Sequence, residues 1–559
     1  MKIHVYNIGM YIRTTSRKNK DGSVVRYVHL AHNVWDPKAG YSKVEIIRNL
    51  GREDELDRKA IQRLVESLSR YLDGEEIKQT LVNEKEIELE PGRSFGGAWA
   101  LDQIWRALSI DKLLKRLLQE RRFETPVERL IFAMVANRAL APSSKLAIEE
   151  WVAEDALIPD LSHVSVTQLY RAMDFLIEAN EVIQETVFFS VANLFNLEVD
   201  LLYFDTTSTY FETEEEDVFR RNGHSKDHRP DLPQAVIGLA VTREGIPVRC
   251  WVWPGNTADV SVIEEVKKDL NGWKLNRVIS VIDRGFSSED NLRYLQRAGG
   301  HYIAGERMRS GMENVEHALS RPGRFKPVAD NLEIKEVVVG DGEARIRYIL
   351  ARNPKEAERD KEKRELILSK IKEELARLGD LAGEPHCKAC CELIAHKSYG
   401  RYLKMDERGQ PHIDKAKVKA EERLDGKYLI RTSDDTLSAV DVALGYKQLY
   451  QVEDAFRTLK TTLELRPVYH RLEDRIRSHI LLCWLALLLI RVMENQSGQT
   501  WAKMRRSLSR IQATMLKTSS GSMTKTSTLS PALKQLFKDL KIKEPPRILD
   551  LSKIHPEKP

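Results

Sequence analysis

The 559-residue chain has little cysteine: five residues, scattered at Cys250, Cys387, Cys390, Cys391 and Cys483. That is too few and too dispersed for a disulfide framework, so a reducing cytoplasm is the expected compartment. Long apolar runs are also missing. The longest, Ile480–Ile490, has eleven residues, against the roughly 20 that a membrane span needs. It reads as a buried core helix, and no membrane partner is expected. The N-terminus lacks a charged-then-apolar leader. A strong net charge is absent too: +5 over the whole chain says little about partners.

The distribution of charge says more. Residues 1–52 carry ten Lys/Arg against three acids, and residues 460–559 carry nineteen against eight. The stretch between them is therefore acidic. Basic flanks around an acidic middle suit a polyanion gripped at both ends; uneven surface charge without a partner gives the same counts.

The length accommodates several domains. Residues 1–90 read as a basic, small α/β region able to bind DNA: β-like runs at Val24–Leu30 and Val44–Ile47, then a helical stripe through Leu56, Ile61, Leu64, Leu68 and Tyr71. Residues 91–195 are helical in pattern. Arg and Lys between the short helices suit either a DNA reader or a plain helical subdomain. From 196 the periodicity changes to strands, at Leu201–Asp205, Ala235–Val241, Pro247–Trp253, Val278–Asp283 and His301–Ala304, with a helix near Ser288–Arg297. This implies a mixed sheet. Residues 306–432 interrupt that core with β-like pieces and a charged helix from Pro354 to Leu378, read as a solvated or coiled-coil-like arm. Helices return over 433–500. Residues 501–559 read as a basic C-terminal tail with a loose end.

Three acids carry the chemistry. Asp205 ends the apolar run Leu201–Phe204, and Asp283 ends Val278–Ile282. A carboxylate at the end of a buried strand is rigidly held and costly unless it finds a partner, for which a metal ion serves. Glu453 lies in "YKQLYQVEDAFRTLK", seven residues from both Tyr446 and Lys460. Seven residues return a helix to within about 20° of its start, so one helix would present all three on one face. The acidic run Glu214–Asp217 reads as a solvated loop, and Asp259 as a turn cap or a fourth acid. His386, Cys387, Cys390, Cys391 and His396 contain one CxxC but no second. That leaves a small zinc site beside the alternative of unligated thiols.

"YFDTTSTYFE", "VIDRGFSSEDNL" and "YKQLYQVEDAFRTLK" resemble the three acidic motifs of DDE-type insertion-sequence transposases. The third resembles that family's Tyr-x2-Arg-x3-Glu-x6-Lys pattern, with Leu449 where the pattern has Arg. "PGNTADV", "DGKYLIRTSD" and "RPVYHRLEDRIRSHI" extend the likeness over about 196–490, and "NRALAPSSKLAIEEW" reaches into the helical region. The resemblance implies a ribonuclease-H-like mixed-sheet core in two parts, 196–305 and 433–500, around an insertion domain. It implies that Asp205, Asp283 and Glu453 hold two Mg²⁺ (or Mn²⁺) ions for DNA cleavage and strand transfer. Tyr446 and Lys460 would grip phosphates, with Arg284 and Arg457 as further contacts. The partner would be double-stranded DNA, both element ends with their terminal inverted repeats and the target, held by a homodimer near the nucleoid. A nuclease or resolvase with the same core, or a silent DNA-binding descendant, are the alternatives. The insert has no Trp; Phe325, Tyr348, Tyr399 and Tyr402 are its candidates for stacking on a flipped base.

Overall fold

The computed structural model describes residues 10–19, 24–36, 39–56, 88–119, 121, 125–195, 201–273, 278–341, 345–380, 383–518 and 521–553. The chain divides into two compact units, 1–88 and 89–559.

In the first unit, β1 (Met10–Lys18), β2 (Val24–Asp36) and β3 (Tyr41–Arg52) form an antiparallel sheet in that order. Val28 and Ala31 of the central strand are its buried apolar residues. The helical stripe through Ile61, Leu64, Leu68 and Tyr71 lies outside the described residues.

The second unit begins with a helical layer: α1 (Gly96–Ala107), α2 (Val127–Leu140), α3 (Val166–Glu178) and α4 (Asn180–Phe195). Every residue of α2 from Val127 to Ala139 is buried, charged ones included. The Arg129 guanidinium reaches Asp102 at 2.6 Å and Glu128 at 2.7 and 2.5 Å, and lies over the Phe132 ring. Trp105 donates its indole N–H to Glu128 at 2.8 Å. Arg106 completes the set, donating to Asp102 at 2.7 Å, so two buried carboxylates are balanced by two guanidinium groups.

Nine strands form one mixed sheet. They are β4 (Leu201–Tyr210), β5 (Gln234–Val241), β6 (Pro247–Pro254), β7 (Ile279–Ile282), β8 (His301–Glu306), β9 (Lys326–Ala329), β10 (Leu332–Val339), β11 (Ile346–Arg352) and β12 (Lys427–Thr432). Their spatial order is β9-β10-β11-β12-β8-β7-β4-β5-β6. β4 is antiparallel to β5 and parallel to β7, and β7 is parallel to β8; the other pairs are antiparallel. Successive residues of a strand face opposite sides. Accordingly Leu201 and Tyr203 join the larger core with the helical layer, while Leu202 and Phe204 join a second core with Trp251, Trp253 and Phe286. A sheet buried on both faces explains the near-continuous apolar runs.

β4 departs from the sequence reading. It does not stop at Asp205 but continues through Thr206–Tyr210, paired with β5 as far as Tyr210–Gln234. The polar Thr206, Thr207, Ser208 and Thr209 are all buried. Threonine's branched Cβ suits a strand, so loss of hydrophobicity here marks a change of environment and not a strand end.

Between β11 and β12 the chain makes a satellite. α5 (Pro354–Leu378) packs on α6 (Gly383–Ala395) through Ile371, Leu378, Cys390 and Leu393. The charged helix therefore has one buried stripe and is not a free arm. Asn353 caps it, accepting from the N–H groups of Lys355 and Glu356 at 3.1 and 3.3 Å.

Three helices complete the core: α7 (Ala439–Lys447), α8 (Tyr450–Arg457) and α9 (Glu473–Ser497). α9 is long and apolar enough to cross a membrane, and 89% of its most apolar window is buried inside the protein. It is the core helix that the run Ile480–Ile490 implies. Of the basic C-terminal tail, whose last forty residues read as loose, the described residues 501–518 and 521–553 are folded. α10 (Trp501–Leu508) is followed by the hairpin β13 (Gln512–Thr518) and β14 (Gly521–Thr526), then α11 (Pro531–Asp539) and β15 (Ile548–Lys553). Leu533, Leu536 and Phe537 of α11 enter the main core. Arg93–Ser94 pairs with Gln512–Ala513, and Trp99 donates to the Lys543 carbonyl at 2.8 Å, so the two ends of this unit are sewn together.

Replacing Arg129 by Met leaves Glu128 buried without its counter-ion and Asp102 with Arg106 alone. The expected loss is about 3–5 kcal/mol, read as a lowered melting transition in calorimetry. A change under about 1 kcal/mol would contradict the balance described here.

Candidate active site

The parallel register of β4 and β7 ends at the pair Phe204–Ile282. The next residue on each strand is a carboxylate, Asp205 and Asp283. Adjacent strands lie about 4.8 Å apart, so the two acids leave the sheet side by side. Asp283 accepts from the Tyr446 hydroxyl at 3.2 Å. The tyrosine passes so close to Gly305 on β8 that a Cβ there would fall 2.1 Å from its oxygen. Burial first, and then the Asp283 charge, push the Tyr446 phenol above its ordinary range.

Asp205 is pushed up to about 6, mainly by burial and further by Asp283 and Asp259; Lys226 and the Thr206 N–H act the other way. Asp259 is a member of this cluster and not a remote turn cap. Its Oδ1 accepts from the Thr206 hydroxyl at 2.5 Å and its Oδ2 pairs with Lys226 at 3.1 Å. The Lys226 ammonium also donates to the Thr206 carbonyl and hydroxyl, at 2.8 and 2.7 Å, and stands 3.8 Å from Asp205. Three carboxylates crowded at one strand end are thus attended by one flexible cation. Hard oxygens carrying more negative charge than their surroundings offset are the donor set that a divalent metal fits. Among the described residues, however, no group of three or more His, Cys, Asp or Glu stands in metal-holding geometry.

Tyr446, Glu453 and Lys460 do not share one helix. Tyr446 is on α7, which ends at Lys447; Glu453 is on α8; Lys460 lies in a wide π-turn, Thr458–Thr462. The break at Gln448–Leu449 follows from tertiary contacts. Gln448 accepts from the Tyr203 hydroxyl at 2.8 Å, and Leu449 is buried. Glu453 is exposed. Its helix packs on β4 and β5, on the face that Tyr203 and, by alternation, Asp205 share. Among the described residues, no hydrogen bond or ion pair ties it to Asp205 or Asp283.

Lys460 pairs with Asp227 at 2.8 Å, as does Arg466 at 3.2 Å. Arg457 pairs with Asp454 at 3.2 Å and stays exposed, and Arg284 is exposed beside Asp283. Lys226 and Asp227 escaped the sequence reading. The signal was the polar stretch Ser225–Arg229 in the connection between two buried strands. The acidic run Glu214–Asp217 is a surface loop partly engaged by Arg220 and Arg221.

The five cysteines are free. Cys387, Cys390 and Cys391 lie on the single helix α6, where Cys390 is buried near His386 while the other two are exposed. His396 stacks on Tyr399 and accepts from the N–H groups of Ser398 and Tyr399.

Two family models match the chain. The IS1634 family transposase N-terminal domain matches residues 12–80, and the transposase DDE domain matches residues 204–489. Among solved structures, the chain is similar to a piggyBac transposase synaptic complex with hairpin DNA, with 12% identity and a TM-score of 0.34, over 74% of this chain and 78% of that one. No curated protein matches.

The raised Asp205 value has a thermodynamic sign. Its folded value, about 6, lies above the ordinary 3.8, so the ionised form is the worse tolerated in the fold. Its contribution to stability is complete below about pH 4 and is lost as pH rises through about 6. At pH 8 without divalent metal, Asp205→Asn is expected to stabilise the protein by roughly 1–2 kcal/mol. That is less than the full shift because the side chain keeps 24% of its surface exposed. Melting temperatures of both proteins between pH 4 and 8 test this; parallel curves would refute it.

Proposed function

The chain belongs to the DDE transposases and is a DNA transposase, an enzyme of DNA cleavage and strand transfer; from that premise we propose that Asp205, Asp283 and Glu453 are its catalytic carboxylates. The juxtaposition of Asp205 and Asp283, one residue beyond the last pair of two parallel strands, carries this reading. Glu453 is assigned because α8 packs on the same face of β4. The core is read as ribonuclease-H-like. Strands β6-β5-β4 are antiparallel and β7 and β8 continue them in parallel, which supports that assignment. Residues 306–432 are read as the insertion, its strands lengthening the core sheet and its helices standing apart as α5 and α6. Residues 1–90 and 91–195 are read as DNA-binding regions, and 433–500 as the second part of the core.

Members of this family are generally dependent on divalent metal. Two Mg²⁺ or Mn²⁺ ions held by these acids would supply activation of water or a 3′-hydroxyl and stabilisation of the leaving oxygen. The protein's own groups do the rest. Tyr446 holds Asp283 in place by its hydroxyl. Lys226 offsets the charge of Asp205 and Asp259 and must yield when a stronger cation arrives. Arg284 and Arg457, both exposed, are read as phosphate contacts, together with Tyr446 and Lys460. The DNA is taken as the element's terminal inverted repeats and then its target. Two ends must meet in one complex, so a homodimer is proposed, acting at the nucleoid in the cytoplasm.

Asp205→Ala, Asp283→Ala and Glu453→Ala are each expected to abolish Mg²⁺-dependent cutting of DNA carrying the element ends, at least 10³-fold. Binding of the ends in a gel-shift assay should persist. Normal cutting by any one variant removes that residue from the assignment.

A further inference from the structure

A second concentration of charge lies away from the acidic cluster, and here the unbalanced groups are cations. A cavity of about 470 Å³ opens between the turn Pro142–Leu146 and the segment leading into α9. Arg138 and Lys145 line it, each only 4% exposed. Arg138 gives Nη1 to the carbonyls of Leu463 and Glu464, at 3.5 and 3.1 Å, while its Nε has no partner. Lys145 has a single hydrogen-bond partner, Nδ1 of the buried His479, at 3.5 Å. The other ring nitrogen of His479 lies 3.1 Å from the Leu465 carbonyl. A carbonyl can only accept, so Nε2 carries the proton and Nδ1 accepts from Lys145. The remaining ammonium hydrogens are unspent. Arg466 on the same wall is already paired with Asp227. Glu464 is the carboxylate of the lining and is exposed.

A buried guanidinium and a buried ammonium without counter-ions are costly to keep. Lys145 responds by falling to about 7, from burial first and then from Arg138. Burial also pushes Arg138 below its ordinary range. The two segments that meet here are "NRALAPSSKLAIEEW" and "RPVYHRLEDRIRSHI"; the second touches the acidic site only through Arg466, which pairs with Asp227.

We propose that this cavity is a phosphate-binding site, with Arg138 and Lys145 as the groups that hold the anion. Tetrahedral phosphate oxygens accept from a guanidinium and an ammonium together. The volume leaves room for the sugar to which a phosphate is attached. That this phosphate belongs to DNA rests on the function proposed above; free phosphate has the same chemistry, and the test separates the two.

The full-length protein is melted with increasing inorganic phosphate, ionic strength being matched with chloride. A saturable rise in Tm is expected for the wild type. Lys145→Met, which removes the charge but not the volume, is expected to lose that rise and to melt no lower without phosphate, because an uncompensated buried cation has gone. Ser144→Asp is the second variant. Ser144 caps the following turn by accepting from the Ala147 N–H at 3.2 Å, and Asp caps equally well. It places a resident carboxylate on the lining and should likewise abolish the phosphate response while the fold is kept. Absence of a saturable response in the wild type, or its survival in both variants, overturns the proposal.

Duplex DNA binding is then measured against salt. A fall of about tenfold in both variants, with the salt slope reduced by about 1, assigns the pocket to a DNA phosphate. Unchanged DNA affinity with the Tm response lost assigns it to a free phosphate. Neither readout requires cutting, so a failure of the carboxylate assignment leaves this result standing.

Discussion

The parallel register of β4 against β7 decides where negative charge gathers. Two apolar strands run together until Phe204 and Ile282, and each then presents an acid. Both neighbours of β4 are paired strands, so a one-residue slip would exchange its two faces. Tyr203 would leave the large core, Phe204 would leave its aromatic neighbours, and Asp205 would turn away from Asp283. Packing on both faces of the sheet therefore holds the acidic pair in place. The mutual repulsion of the acids is borne by a scaffold whose cores lie on either side.

Charge is treated in three ways in the second unit. In the helical layer, Asp102 and Glu128 share the Arg129 guanidinium, Arg106 adds a second to Asp102, and an indole donates to Glu128. In the acidic cluster, Asp205 and Asp259 share one ammonium while Asp283 has only the Tyr446 hydroxyl, and burial disfavours the ionised form of Asp205. In the cavity beside α9, two cations have no acid beside them except an exposed one. The first arrangement is closed. The other two retain unmet electrostatic demand, and unmet demand at a defended position is the usual mark of a group that waits for a ligand.

Much of this was legible. The strands of the core, the charged helix beginning at Pro354 and the buried helix around Ile480–Ile490 all announce themselves through periodicity and length. Asp205 and Asp283 stand out in the sequence because each follows an apolar run. The single helix through Tyr446, Glu453 and Lys460 was not real. A seven-residue spacing survives a break when each piece restarts in phase, and the break itself depends on Tyr203, more than two hundred residues away. Lys226 and Asp227 escape the sequence because their partners are distant in the chain, and the same distance leaves Asp259 open between a turn cap and a fourth acid. The last forty residues read as loose because a strand such as Gly521–Thr526 is built of Ser, Thr and Lys, and its pairing is made by the backbone.

The seam between Arg93–Ser94 and Gln512–Ala513 has a consequence for how the protein is made. The opening segment of this unit has its strand partner some four hundred residues downstream. Ribosomes deliver the chain at about 5–20 residues per second, so that segment waits for tens of seconds. The unit is completed only when nearly all of it has been translated. A message cut short by a frameshift or an early stop before Gln512 thus yields a chain in which Arg93–Ser94 lacks this strand partner.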